Sequence, residues 1–228
     1  MQTPKKVLFG GCCLAFGAAF ANVGLLLKTG TSVSHLTGDI SKLSIDIVRV
    51  TPTIWIEALQ VTSAAFAFFI GAFLAGFFIH NPTLDFTRPY GRTVTGIGLL
   101  LIAAALLVDR FPVAGIALAA LGCGLQNSLA RSSRGIVLRT THLTGLITDF
   151  GVTLGMRAHG FDIPSWKILV PFLLIASFFL GGLTCSMLFV YGPFDPIMVA
   201  GISYCTAGIG WTLFKHVLLP FFAHQSKS

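Results

Sequence analysis

Charge is scarce in this chain. Of 228 residues, 15 are Lys or Arg and 8 are Asp or Glu, so charged residues make up 10%. A soluble domain carries about 25%, and the deficit excludes an ordinary water-exposed globule. Nucleotide-binding and hydrolytic signatures are also missing. There is no Walker loop, no H-E-x-x-H, no G-x-S-x-G and no Rossmann glycine pattern, so ATP-driven transport by this chain alone is excluded. Cysteine is sparse: Cys12, Cys13, Cys123, Cys185 and Cys205 all lie in apolar stretches. None shows C-x-x-C or Cys/His metal spacing. They read as small packing residues, and neither a metal site nor a cofactor is expected.

What is present is hydrocarbon-compatible. The chain is 54% hydrophobic, with 21 Phe residues and a mean hydropathy of +0.85. Its length accommodates roughly six spans of about 20 residues each, leaving no room for a separate soluble domain. The apolar run after Lys5 and Lys6 continues to about Leu27 without a small-x-small cleavage pattern, so it reads as a first span rather than a leader. The formal charge of +7 fits basic cytoplasmic loops. No aromatic–basic interleaving points to nucleic acid.

Apolar runs predict spans over about 7–27, 53–79, 94–108, 113–130, 166–191 and 198–219, with two short segments at about 37–50 and 144–157. Six spans with a cytoplasmic N-terminus place Lys5, Lys6, Arg88, Arg92, Arg131, Arg134, Arg139, Arg157, Lys167, Lys215 and Lys227 inside. Only Lys28, Lys42, Arg49 and Arg110 then lie outside. Eight spans erase that bias. At 1.5 Å per residue, segments of about 14 residues are short for a crossing. The expectation is an all-α polytopic bundle forming one integral membrane domain over 1–228. It has six spans and two re-entrant or interfacial half-helices.

One motif occurs twice. The first copy is Ser34-His35-Leu36-Thr37-Gly38-Asp39 and the second is Thr141-His142-Leu143-Thr144-Gly145. The histidines are 107 residues apart (142 − 35), close to half the chain. Phe68-Phe69-Ile70-Gly71 resembles Phe178-Phe179-Leu180-Gly181, and Gly96-Ile97-Gly98 echoes Gly208-Ile209-Gly210. With three spans per half, the halves, about 7–110 and 111–220, form an inverted repeat.

At each motif, Thr is suited to cap a helix, and Gly permits close approach of a ligand. A helix beginning there points free N–H groups and a partial positive end at whatever faces it. Within a bilayer those donors require a partner. Two such ends facing each other would form a polar site for a small polar or anionic solute. The candidate solute contacts are His35, Thr37, Gly38, His142, Thr144 and Gly145. Gln126 and Asn127 join them, as further hydrogen-bonding contacts or as interhelical glue. Asp39 and Asp149 are candidates for ion or proton coupling. Lys42 corresponds to Asp149 across the repeat, which suggests an ion pair, whereas Lys42–Asp46 is a local alternative. The competing reading lays both short helices along the headgroups. Gly71-x-x-x-Ala75 and Gly181-x-x-x-Cys185 read as helix-packing seams.

Ser34-His35-Leu36-Thr37-Gly38, Gly124-Leu125-Gln126-Asn127 and Thr140-Thr141-His142-Leu143-Thr144-Gly145 together resemble the YoaK-like family of bacterial membrane proteins, over about residues 7–220. The resemblance implies a polytopic inner-membrane protein of about six helices, both termini cytoplasmic on the charge bias above, with a permease as the usual guess. It supplies no substrate and no catalytic residue. The chain departs from the pattern in two places. Position 39 is Asp where Asn is common, and Gly17 is followed by Ala18, Ala19, Phe20, Ala21 and Asn22 rather than by an acid. Coupling would then rest on Asp39. The function expected is a permease or facilitator in contact with lipid and a small solute. A scaffold or sensor subunit bound to another membrane protein is the alternative. Chains this small often form homodimers. An embedded enzyme is not expected, because no nucleophile–base spacing is visible.

Overall fold

The computed structural model describes residues 4–49, 52–79, 90–129 and 141–218. Arg88, Arg131, Arg134, Arg139 and Lys227, which carry much of the expected loop charge, lie outside the described residues. Within them the chain is all helix: α1 Pro4–Thr29, α2 Leu36–Arg49, α3 Ile54–Ile79, α4 Tyr90–Leu107, α5 Pro112–Leu129, α6 Leu143–Ala158, α7 Ser165–Tyr191 and α8 Pro196–Leu213, with a final π-helical turn Phe214–Leu218. Six of these are long and apolar enough to span a membrane. The exceptions are α2, with 14 residues, and α6, with 16. At 1.5 Å per residue they reach about 21 and 24 Å, short of a hydrocarbon core of about 30 Å.

Local chemistry explains the ends. Gly30 takes a left-handed φ of 71° and donates its N–H to the Leu26 carbonyl at 2.9 Å, which stops α1. Asp195 caps α8, its Oδ1 accepting from the N–H groups of Ile197 and Met198 at 2.8 and 3.1 Å, with Pro196 at the first helical position. The α4 helix begins at Tyr90, four residues before the apolar run, because Tyr90-Gly91-Arg92-Thr93 continues the helix into polar sequence.

The packing follows the repeat. The main partner of α1 is α7, and that of α3 is α5, so the first span of each half packs on the second span of the other. The third spans, α4 and α8, pack on each other. Glycine allows these approaches. A Cβ on Gly71 would lie 2.1 Å from the Leu121 carbonyl oxygen, and one on Gly124 would lie 2.1 Å from that of Phe68. Between α4 and α8, Gly91 faces Gly208 and Gly98 faces Gly201 reciprocally. Gly71/Gly181, Gly91/Gly201 and Gly98/Gly208 share one offset (181 − 71 = 110). The expected match of Gly96-Ile97-Gly98 with Gly208-Ile209-Gly210 therefore shifts: Gly98 pairs with Gly208 in the repeat, while Gly96 and Gly210 have open space around them.

An ionic cluster fixes the sense of the spans. Lys28, at the end of α1, pairs with Asp109 between α4 and α5 at 3.1 Å and with Asp195 between α7 and α8 at 2.5 Å. The ends of α1, α4 and α7 thus share one face of the bundle. Six alternating spans meet that condition. Eight would send the ends of α1 and α4 to opposite faces.

Candidate functional site

After Gly30 the chain turns back along α1. Asn22, two turns before the end of that helix, holds the returning strand. Its Oδ1 accepts from Ser32 Oγ, Val33 N, Ser34 N and Ser34 Oγ at 2.9–3.1 Å. Thr31, Ser32 and Val33 are buried. Ser32 Oγ accepts from the His35 N–H at 2.9 Å, and Asp39 Oδ2 accepts from the Ser32 N–H at 2.9 Å. These bonds satisfy backbone donors that hydrocarbon would leave unpaired. From this depth α2 returns toward the start of α3, where Lys42 pairs with Glu57 at 3.3 Å. Residues 30–49 therefore fold back along α1 as a hairpin.

The second half repeats the plan from the opposite side. Thr141 Oγ1 donates to Asn127 Oδ1 at 2.8 Å, and α6 begins at Leu143. Leu146 is buried with Ala15 of α1 and Leu174 of α7, and Phe178 packs on that cluster. Phe178 also receives His35 edge-on, with ring centroids 5.4 Å apart. It is the fourteenth of the 27 residues of α7, half-way along the span. Both helix openings thus converge on the middle of α7.

The two histidines sense each other there. Burial of the ring, and then the charge of His142, hold the pKa of His35 below the ordinary histidine value. Asp39 moves the other way. Burial pushes its carboxyl up, outweighing the Ser32 N–H and the Lys42 ammonium, both of which favour the ionised form.

The other expected contacts divide. Thr37, Gly38, His142, Thr144 and Gly145 are exposed, and nothing lies within 4 Å of a Cβ built on Gly38 or Gly145. The threonines are not caps. Because α2 starts at Leu36 and α6 at Leu143, the histidines take the capping position, and His142 makes no side-chain cap bond. Gln126 is 1% exposed and donates to the Leu14 carbonyl at 2.7 Å, joining α5 to α1. Asn127 anchors Thr141. These two amides hold the scaffold rather than face open space. Lys42 engages Glu57, and among the described residues it makes no pair with Asp149, which is exposed two turns into α6. The reason is distance along the hairpin: Lys42 has already climbed toward α3. Three contributions escaped the sequence reading, namely the Ser32 bonds, the contact of Phe178 with His35 and the Lys28–Asp195 pair. Asn22 was visible only as an isolated polar residue in an apolar span.

A family model described as a protein of unknown function (DUF1275) matches residues 10–209. No curated protein and no solved structure matches the chain.

Proposed function

We propose that this chain, which belongs to the DUF1275 family, is a permease or facilitator for a small polar or anionic solute. It would work in a bacterial inner membrane with both termini cytoplasmic. The solute would enter between the two re-entrant openings and meet His35, Thr37, Gly38, His142, Thr144 and Gly145. The observation that carries this reading is the convergence of both openings on the middle of α7, with His35 against Phe178 and Leu146 in the cluster on which Phe178 packs. Half-helix openings at mid-depth, from opposite sides, are how many transporters place polar groups inside hydrocarbon.

Proton linkage would come from Asp39 and His35. Burial raises the pKa of the Asp39 carboxyl and so favours its taking up a proton. An anionic solute would be favoured when Asp39 is protonated, since its carboxylate sits in the first turn of α2 and otherwise repels negative charge. Asp149, exposed on α6, is the weaker coupling candidate.

The test is flux into liposomes holding the purified chain, across a panel of small anions and neutral polar solutes, with and without a pH gradient. Saturable uptake that Gly38→Val or Gly145→Val abolishes, while the variants remain folded, supports the reading. Liposomes that accumulate nothing under any gradient overturn it.

A further inference from the structure

A groove runs along the α4–α8 pair, away from the re-entrant openings. It encloses about 380 Å3 and is lined chiefly by Arg92, Thr95, Gly96 and Leu99 of α4 and by Ile209 and Thr212 of α8. Gly96 creates it. Nothing lies within 4 Å of a Cβ built there, so the space a side chain would fill stays open. Leu99 and Ile209 are half exposed or more, and the groove opens outward between them. The two hydroxyls in its wall are spent within their own helices: Thr95 Oγ1 donates to the Gly91 carbonyl and Thr212 Oγ1 to the Gly208 carbonyl, each at 2.9 Å. What the wall then offers is mainly hydrocarbon.

One end of the groove is charged. Arg92 sits in the first turn of α4 and is exposed. Among the described residues it makes no ion pair. Neither α4 nor α8 contains an Asp or Glu, and the π-helical turn after α8 adds Lys215 and His216. The planar guanidinium is the side chain best matched to phosphate oxygens. Leu99 lies seven residues beyond Arg92 (99 − 92), so the apolar wall runs about 10 Å toward the bilayer centre. A cation at the end of a span with hydrocarbon below it has the layout of a phospholipid in reverse charge.

The internal repeat supplies a comparison. At the 110-residue offset, Arg92 corresponds to Ile202 and Gly96 to Thr206. The related position toward the other end of the same helix pair therefore has neither the cation nor the glycine. The two residues that distinguish the groove mark one membrane face only, the face opposite the Lys28 cluster. Under the proposed orientation that face is cytoplasmic, where basic pockets between spans hold anionic head groups.

We propose that this groove holds one anionic phospholipid, its phosphate on Arg92 and part of an acyl chain against Gly96, Leu99 and Ile209. Charge selects the occupant. A zwitterionic lipid brings the same chain and phosphate, but its own cation competes with Arg92 for that phosphate. A second copy of the chain fits less well. A twofold contact centred on this groove would set each Arg92 among the partner's basic groups, with no acid on either helix to meet it.

The experiment takes the full chain from nanodiscs of phosphatidylglycerol and phosphatidylcholine in equal parts and counts the lipids it retains by native mass spectrometry. One phosphatidylglycerol per chain is expected, favoured about tenfold over phosphatidylcholine, as one charge-assisted hydrogen bond supplies. Arg92→Gln should erase that preference. Gly96→Leu, at a position with room for a side chain, should lower retention of both lipids. Thermal unfolding of the two variants should match that of the parent chain. Glycerol phosphate, a headgroup without chains, should not displace the lipid. Equal retention of the two lipids, a preference unchanged in Arg92→Gln or a retention unchanged in Gly96→Leu would overturn the proposal. So would displacement by glycerol phosphate alone, or a dimer that holds no lipid.

Discussion

His35 meets Phe178 edge-on at 5.4 Å, which places the first residue of the repeated motif against the centre of a span belonging to the other half. That contact depends on how deeply residues 30–34 re-enter, and the depth depends on Asn22. Asn22→Ala leaves two backbone N–H groups and two hydroxyls without their acceptor. At about 1–3 kcal/mol for each buried group left unpaired, a loss of several kcal/mol is expected. The melting temperature should fall, and the amides of Val33 and Ser34 should exchange with solvent far faster. Asn22→Asp, which keeps the acceptor, should restore part of the protection.

Glycines at two kinds of position should respond differently. Gly71→Ala and Gly124→Ala each drive a methyl into a backbone carbonyl 2.1 Å away. They should destabilise the α3–α5 contact by about 1–3 kcal/mol or more, read as a lower unfolding temperature in detergent. Gly38→Ala and Gly145→Ala meet nothing within 4 Å and should leave stability within about 0.5 kcal/mol.

The Lys28 cluster predicts graded effects. Asp195→Ala removes the α8 cap and should cost about 1 kcal/mol, whereas Asp109→Asn should cost little, since that carboxylate is 74% exposed. Although burial opposes ionisation of Asp195, Lys28 and the capping N–H groups outweigh it and hold its pKa below the ordinary carboxylate value. Its stabilisation is therefore complete above the ordinary range and lost as pH falls through the lowered value. In Asp195→Asn, that acid limb of the stability curve should flatten.

His35 and Asp39 should give pH slopes of opposite sign. With a lowered pKa, folded His35 takes up its proton later than the unfolded chain does, so stability falls as pH drops through the ordinary histidine range. With a raised pKa, folded Asp39 takes up its proton earlier, so stability rises as pH falls through its raised value. His35→Gln should remove the first slope and Asp39→Asn the second, measured by thermal unfolding from pH 4 to 8.

Lys42 distinguishes two ion pairs. Reversing both Lys42 and Glu57 should restore whatever stability either reversal removes. Reversing Lys42 and Asp149 together should not, because Lys42 lies 3.3 Å from Glu57.

The spans were legible because long apolar runs between charged or proline-containing turns leave few alternatives. The duplication was legible from His35/His142 and from Phe68/Phe178. Partner choice was not: that Gly71 abuts Leu121, and Gly181 abuts Phe16 rather than a span of its own half, depends on three-dimensional fit that apolar composition does not encode. The caps were misplaced by two positions because Thr37 and Thr144 have the better capping chemistry, whereas α2 and α6 start at Leu36 and Leu143; in the first copy the turn that bonds His35 N–H to Ser32 puts histidine there. Gln126 and Asn127, adjacent amides in an apolar span, called for hydrogen-bond partners. Whether those partners were solute or protein required knowing that Leu14 and Thr141 stand beside them.

The convergence of the two openings is tested most directly by paired cysteines at 35 and 142 in a cysteine-free background, in native membranes. A short bifunctional thiol reagent should join them in the folded chain, and Asn22→Ala should weaken that link. If the pair never cross-links, and each cysteine reacts freely with a membrane-impermeant reagent, the openings do not meet within the bundle.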